Sequence, residues 1–131
     1  MRLLLDTHIL LWSLLEPRRL SQHLTVELEN ADNELWISPI SVWEIAVLAE
    51  RRRILIDCPD HQKWIRDALA RVPLREAPVN HEVALQSRSI DLEHQDPADR
   101  FIAATALVYD LVLVTADKRL LESEQVRTLP Y

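Results

Sequence analysis

The chain of 131 residues contains no glycine. Two large function classes fall with it, because the dinucleotide-binding fingerprint and the phosphate-cradling loop are both built on glycine. Any left-handed turn must then rest on Asn, Asp or a strained residue. Cysteine is nearly absent too. Cys58 alone cannot form an intramolecular disulfide, and its isolation suits a reducing cytosol. No apolar run approaches the roughly 20 residues of a membrane span, and no signal-peptide pattern precedes Asp6, so a cytoplasmic protein is expected. Net positive charge is also missing. At −6 the chain does not grip nucleic acid through bulk charge. A cluster of carboxylates that holds cations would itself contribute several of those negatives.

What remains is an ordinary globular composition, 48% hydrophobic and 27% charged, of a length that suits one domain over residues 1–131. Leu3-Leu4-Leu5 is a short apolar run of the kind buried on both faces in a parallel sheet, and it ends on Asp6. A helix follows from about Ile9 to Leu15, and Ser21 caps another that runs to about Asn30. Leu35 to Ser38 reads as a second strand. Ser38-Pro39 then starts a helix reaching about Arg52. Apart from Glu44 this helix is apolar nearly all round to Ala49, which predicts burial in the core or against another chain. Ile54-Leu55-Ile56 is a short apolar piece, and Pro59 opens a helix through Trp64 and Leu69. Leu74-Arg75-Glu76 leaves room for a short strand between two prolines. Asn80 caps a helix to Arg88, and Asp96-Pro97 begins another. Leu111 to Thr115 is a buried strand, a short helix follows Asp117, and Val126 to Leu129 could close the sheet at its edge. Helices alternate with strands, giving an α/β fold with a central, mostly parallel sheet flanked by helices.

Four acids recur at the edges of apolar elements. Taken alone, Asp6, Asp96 with Asp99, and Asp117 are adequately explained as helix caps. Glu44 is not, because its helical neighbours are apolar and a buried carboxylate needs a salt bridge or a metal ion. Asp6 and Asp117 lie just past the carboxyl ends of two central strands. The helix beginning near Asp99 leads directly into the second of those strands, so it must start over the same sheet edge. Asp6, Asp99 and Asp117 therefore converge, with Glu44 reaching in from its own helix. Such a set favours hard cations, Mg²⁺ or Mn²⁺. The scattered histidines His8, His23, His61, His81 and His94 form no pair that would suggest zinc. Metal-assisted phosphodiester hydrolysis is the chemistry that uses such a site. Arg100, Lys118 and Arg119 flank the acids in sequence and are candidate phosphate contacts. Trp12, Trp36, Trp43 and Trp64 are better suited to packing than to base stacking.

The motifs Leu4-Leu5-Asp6-Thr7-His8, Ser41-Val42-Trp43-Glu44-Ile45, Asp96-Pro97-Ala98-Asp99-Arg100-Phe101-Ile102-Ala103 and Val114-Thr115-Ala116-Asp117 resemble, in order, those of PIN-domain ribonucleases. The likeness is greatest to the VapC-type toxins of type II toxin–antitoxin modules, and it spans nearly the whole chain. The resemblance implies a PIN-like domain whose acidic metal-site residues are Asp6, Glu44, Asp99 and Asp117, with Asp96 an accessory acid or cap and Thr115 the hydroxyl that accompanies the last aspartate. It further implies Mg²⁺- or Mn²⁺-dependent cleavage of RNA, a homodimer, and a cognate antitoxin that lays a segment over the active site. Relatives often carry glycine after the Glu-bearing helix and before the last core strand; here Arg52-Arg53 and Tyr109-Asp110 occupy those turns. Two other readings of the residues are a phosphoacceptor signalling domain on a flavodoxin-like sheet and a catalytically silent binding module.

Overall fold

Five short strands pair side by side, all parallel, in the spatial order β3-β2-β1-β4-β5. They are β1 (Arg2–Leu5), β2 (Glu34–Ile37), β3 (Leu74–Glu76), β4 (Val112–Thr115) and β5 (Thr128–Pro130). The helices are α1 (Thr7–Leu15), α2 (Gln22–Glu29), α3 (Pro39–Glu50), α4 (His61–Arg71), α5 (His81–Ser89), α6 (Pro97–Val108) and α7 (Lys118–Leu121), with a 3-10 turn at Pro17–Arg19. This computed structural model describes residues 1–93 and 95–131. His94, one of the scattered histidines, lies outside the described residues. No helix among them is long and apolar enough to cross a membrane.

The middle strand explains why the apolar runs do not alternate with polar residues. Leu3 and Leu5 pack into one core cluster with Ile9, Leu10 and Ile45, while Leu4 packs into another with Ile102, Ala103 and Leu113. Successive side chains point to opposite faces, so a strand covered by helices on both faces must be apolar throughout. The edges are short. β3 carries Arg75 and Glu76 and β5 ends on Pro130, features that discourage further strand pairing.

Helix starts follow the local chemistry. Ser21, Ser38, Asp60, Asn80 and Asp96 each accept a hydrogen bond from a first-turn amide of the helix that follows. α4 thus starts at His61 with Asp60 as its cap, two residues past the Pro59 start expected from the sequence. The helix ends are where missing glycine tells. α3 stops at Glu50 because Arg52 turns into the left-handed region, φ 54°, and α6 ends with Asp110 at the same angle.

One expectation is corrected. Arg100 is not a phosphate contact. It is 5% exposed, and its guanidinium donates to the carbonyls of Ser87 (2.8 Å), Ile90 (2.9 Å) and Leu92 (2.9 Å), and more weakly to Arg88 (3.4 Å). It ties the end of α5 and the chain beyond it to α6, satisfying carbonyls that have no helical partner. Within this chain α3 is not buried on every side, which leaves burial against another chain as the open half of that expectation. Ser41, Ile45 and Ala49 face inward, one per turn, but Trp43 on the far side is 60% exposed.

Candidate active site

The sheet register creates the site. Leu5 of β1 pairs with Val114 of β4, which sets Asp6 and Thr115, the next residues, beside each other at the carboxyl edge. The Asp6 amide continues the ladder to the Val114 carbonyl at 2.9 Å. Its carboxylate is then held at both oxygens: Oδ1 accepts from the Thr7 amide (2.9 Å) and Oδ2 from the Thr115 hydroxyl (2.7 Å). That hydroxyl in turn accepts from the Asp117 amide at 3.0 Å. One threonine thus fixes both strand-end acids. Burial pushes the Asp6 carboxyl above its ordinary range, against the pull of the Thr115 hydrogen bond.

Glu44 comes from α3. It lies one turn beyond Ser41 on the same face, and both meet Thr7, the first residue of α1. Thr7 Oγ1 stands 2.6 Å from Glu44 Oε1 and 2.9 Å from Ser41 Oγ. Thr7 has one hydroxyl proton. An ionised Glu44 takes it, so Ser41 donates to Thr7. The charge inside an apolar helix is therefore answered by a relay of hydroxyls and not by an arginine. Burial raises the Glu44 carboxyl, opposed by the Thr7 hydrogen bond, and Asp6 and Asp96 add repulsion.

Asp99 sits in the first turn of α6, which Asp96 caps by accepting from the Ala98 amide at 3.0 Å. Its side chain is only 16% exposed. Burial first, then repulsion by Asp96, Asp6, Asp117 and Glu44, pushes its carboxyl up to about 7. All five acids line one cavity of about 420 Å³, together with His8, Trp12 and Arg119.

Among the described residues, Arg119 is the arginine that lines this cavity. Its Nη2 lies 3.0 Å from Asp117 Oδ2 and 3.7 Å from Asp99 Oδ2, and its Nε reaches Asp117 Oδ1 at 3.3 Å. Among the described residues no three acid, imidazole or thiol groups are yet closed on one point as a finished metal shell. The acids stand around an open space, as mutual repulsion requires. An all-oxygen donor set of this density still fits hard divalent cations better than any softer metal.

Asp6, Glu44, Asp99 and Asp117 are thus gathered in one cavity, with Asp96 at its rim and Thr115 beneath Asp6. Arg119 joins them. Lys118 is exposed at the start of α7 and does not line the cavity, and Arg100 faces the opposite way. Sequence reasoning gave no role to Thr7, Ser41 or His8. The signal was present for the first two: hydroxyls next to Asp6 and one helical turn before Glu44.

Fold and site together define an α/β domain with an acid-lined pocket at the carboxyl edge of a parallel sheet. The chain belongs to the PIN-domain family, whose model matches residues 3–124. It is 38% identical over 118 residues to Ribonuclease VapC22 of Mycobacterium tuberculosis, covering 89% of this chain and 88% of that protein. Among solved structures it resembles VapBC2 from Rickettsia felis bound to a promoter DNA fragment (TM-score 0.75, 17% identity, 99% and 98% of the two chains). It also resembles VapBC-5 from Mycobacterium tuberculosis, a member of the VapBC family of toxin–antitoxin systems (TM-score 0.62, 17% identity, 99% and 98%).

Proposed function

We propose that this protein is a divalent-metal-dependent endoribonuclease, the toxin of a toxin–antitoxin pair, acting in the cytoplasm through Asp6, Glu44, Asp99 and Asp117 with Mg²⁺ or Mn²⁺. The observation that carries the reading is the single cavity that gathers these acids, where burial and then the neighbouring carboxylates push Asp99 up to about 7. Family membership and the ribonuclease relative support it.

In this reading each residue's task follows from how it is held. Asp6 is the rigid ligand, pinned at both oxygens. Glu44 is aimed by Thr7, and Asp117 is placed by its amide on Thr115. Asp99, whose carboxyl burial and four neighbouring acids push up to about 7, would gain from a bound cation. A hard divalent ion there would supply an activated water and neutralise charge building on the phosphodiester. Arg119, which contacts Asp117 and Asp99, would be placed to turn its guanidinium to a phosphate oxygen if those acids held a cation, with Lys118 beside it in sequence. Asp96 remains the cap of α6 and a nearby negative charge.

The proposed protein partner is a cognate antitoxin, as the likeness to VapBC assemblies suggests. A basic side chain laid over the cavity would meet the acids as Arg119 does. A homodimer is proposed as well, with exposed Trp43 on α3 as its candidate surface. The phosphoacceptor alternative fits poorly, because the strand order differs from the flavodoxin-like order, in which the third strand lies inside the sheet. Here β3 is an edge.

Incubation with single-stranded RNA and Mn²⁺ or Mg²⁺ tests the proposal. Cleavage should stop with a chelator and with Asp6→Ala or Asp99→Ala, both variants remaining folded. Equal cleavage by either variant and the parent would remove the site assignment.

A further inference from the structure

Two more hollows border the acid cavity, and their charges are opposite. On one flank lies a cleft of about 710 Å³, lined among the described residues by Asp91, Glu93, Glu122 and Glu124, with Arg119 at its mouth. On the other lies a groove of about 240 Å³ between α1, the 3-10 turn and the chain after α3. This groove shares His8 and Trp12 with the acid cavity, so the two are adjacent. Arg19 and Arg53 line it together with one acid, Glu16, over a floor that includes Leu11, Leu48 and Ile54.

The arginines of this groove are not dispersed at random along an acidic chain. Arg18 and Arg19 form the 3-10 turn, and Arg51, Arg52 and Arg53 follow α3. These two short segments carry five of the 15 basic residues of a chain whose net charge is −6. Arg19 is also placed. Its guanidinium carbon lies over the Trp12 ring, 4.1 Å from the centroid, and Nη1 stands 3.6 Å from Glu16 Oε2. A cation held on an aromatic face at a groove wall loses less freedom when it meets a phosphate than one loose in solvent. Over distances shorter than the screening length of roughly 8 Å, such local charge governs a polyanion's path more than net charge does.

Resting on the ribonuclease reading above, we infer that single-stranded RNA runs from the acid cavity along the groove between α1 and the end of α3, its flanking phosphates meeting Arg19 and Arg53, and that the acidic cleft on the opposite side is closed to it by repulsion. The groove's apolar floor and the Trp12 edge accept the attached nucleoside, while its arginines take the backbone. This is a shelf for the substrate's flanking nucleotides, distinct from the acids where the chain is cut.

Fluorescence anisotropy decides the matter, using a short labelled single-stranded RNA with phosphorothioate linkages and Ca²⁺ in place of Mg²⁺. Arg19→Gln combined with Arg53→Gln should weaken binding roughly tenfold or more near 0.1 M salt, and should lower the slope of log affinity against log salt by about 1.4, two contacts at about 0.7 each. Arg66→Gln with Arg88→Gln removes the same charge from α4 and α5 and should leave the slope at the parent's value. Both pairs are exposed, and thermal melting checks that each folds. A parent-like slope in the groove variant, or an equal fall in both, would overturn the inference while leaving the ribonuclease reading standing. A groove variant that keeps RNA affinity but loses a protein partner would assign the groove to that partner and also overturn it. Failure of the parent to bind RNA at all would remove the ribonuclease reading itself, and the inference with it.

Discussion

Asp99→Asn should make the metal-free protein more stable at pH 8 and blind to the metal. Burial and neighbouring acids lift the Asp99 carboxyl from 3.8 to about 7. At 1.36 kcal/mol per pH unit that gap is a ceiling of about 4 kcal/mol. The cavity is open to solvent, so screening cuts the figure to about half or less. The amide also gives up the favourable place of an anion in the first turn of α6, about 0.5 kcal/mol. A net gain of about 1–1.5 kcal/mol at pH 8 remains.

The sign follows from proton counting. Between pH 4 and 7 the folded protein holds a proton on Asp99 that the unfolded chain has released, so this group's contribution to stability falls as pH rises through that window. Parent and variant should therefore melt alike near pH 4 and diverge toward pH 8. With an unfolding entropy of about 0.28 kcal/mol per kelvin for 131 residues, the gap at pH 8 is about 4–5 °C. Divalent metal should reverse the ranking. An ion present at about a hundred times its dissociation constant adds about 2.7 kcal/mol to the parent and far less to the variant. Differential scanning fluorimetry in a chelator and in Mn²⁺, across pH 4 to pH 8, reads both effects. If the two proteins melt together at pH 8 without metal and rise together with it, the acids do not act as one repelling cluster.

Other expectations are more local. Thr7→Val should lower metal affinity about 10- to 100-fold by isothermal titration, because it releases Glu44 while leaving the ligands themselves intact. Arg100→Leu should cost about 3 kcal/mol or more in urea unfolding, since buried carbonyls lose their donors, and Arg100→Lys should recover little because an ammonium lacks the planar fork. Trp43→Asp should shift the mass measured by light scattering toward the monomer if α3 is the dimer surface, and leave melting nearly unchanged if it is not.

Much of this was legible because it is local. The caps at Ser21, Ser38, Asn80 and Asp96 and the all-apolar central strands are set by residues within a few positions of one another. The convergence of the acids was also legible, because a helix that leads directly into a parallel strand must begin at that strand's carboxyl edge. Arg100 was not. Standing next to Asp99 in sequence suggests sharing its site, but consecutive residues on a helix point about 100° apart. Asp99 turns to the cavity and Arg100 to the carbonyls that follow α5. For α3 the sequence left two alternatives open, the core or another chain. An apolar surface all round says that a helix can be buried, but not how much of it this chain alone will cover.

The two turns without glycine show the cost of that composition most directly. After α3 the Arg52 amide reaches the Ala49 carbonyl (3.1 Å) and the Arg53 amide the Leu48 carbonyl (2.8 Å). After α6 the Asp110 amide reaches Leu107 (3.3 Å) and the Leu111 amide Ala106 (2.8 Å). Both are the paired bonds of a Schellman ending, which needs a left-handed residue where glycine normally sits. Arg52 and Asp110 take that conformation at φ 54°, at roughly 1 kcal/mol each, less for Asp110 because a short polar side chain tolerates it. These are the ends of the two helices that carry Glu44 and Asp99. The turn at Arg52 also sets where the next residue goes: the Arg53 amide closes on Leu48, and Arg53 and Leu48 both line the groove beside α1.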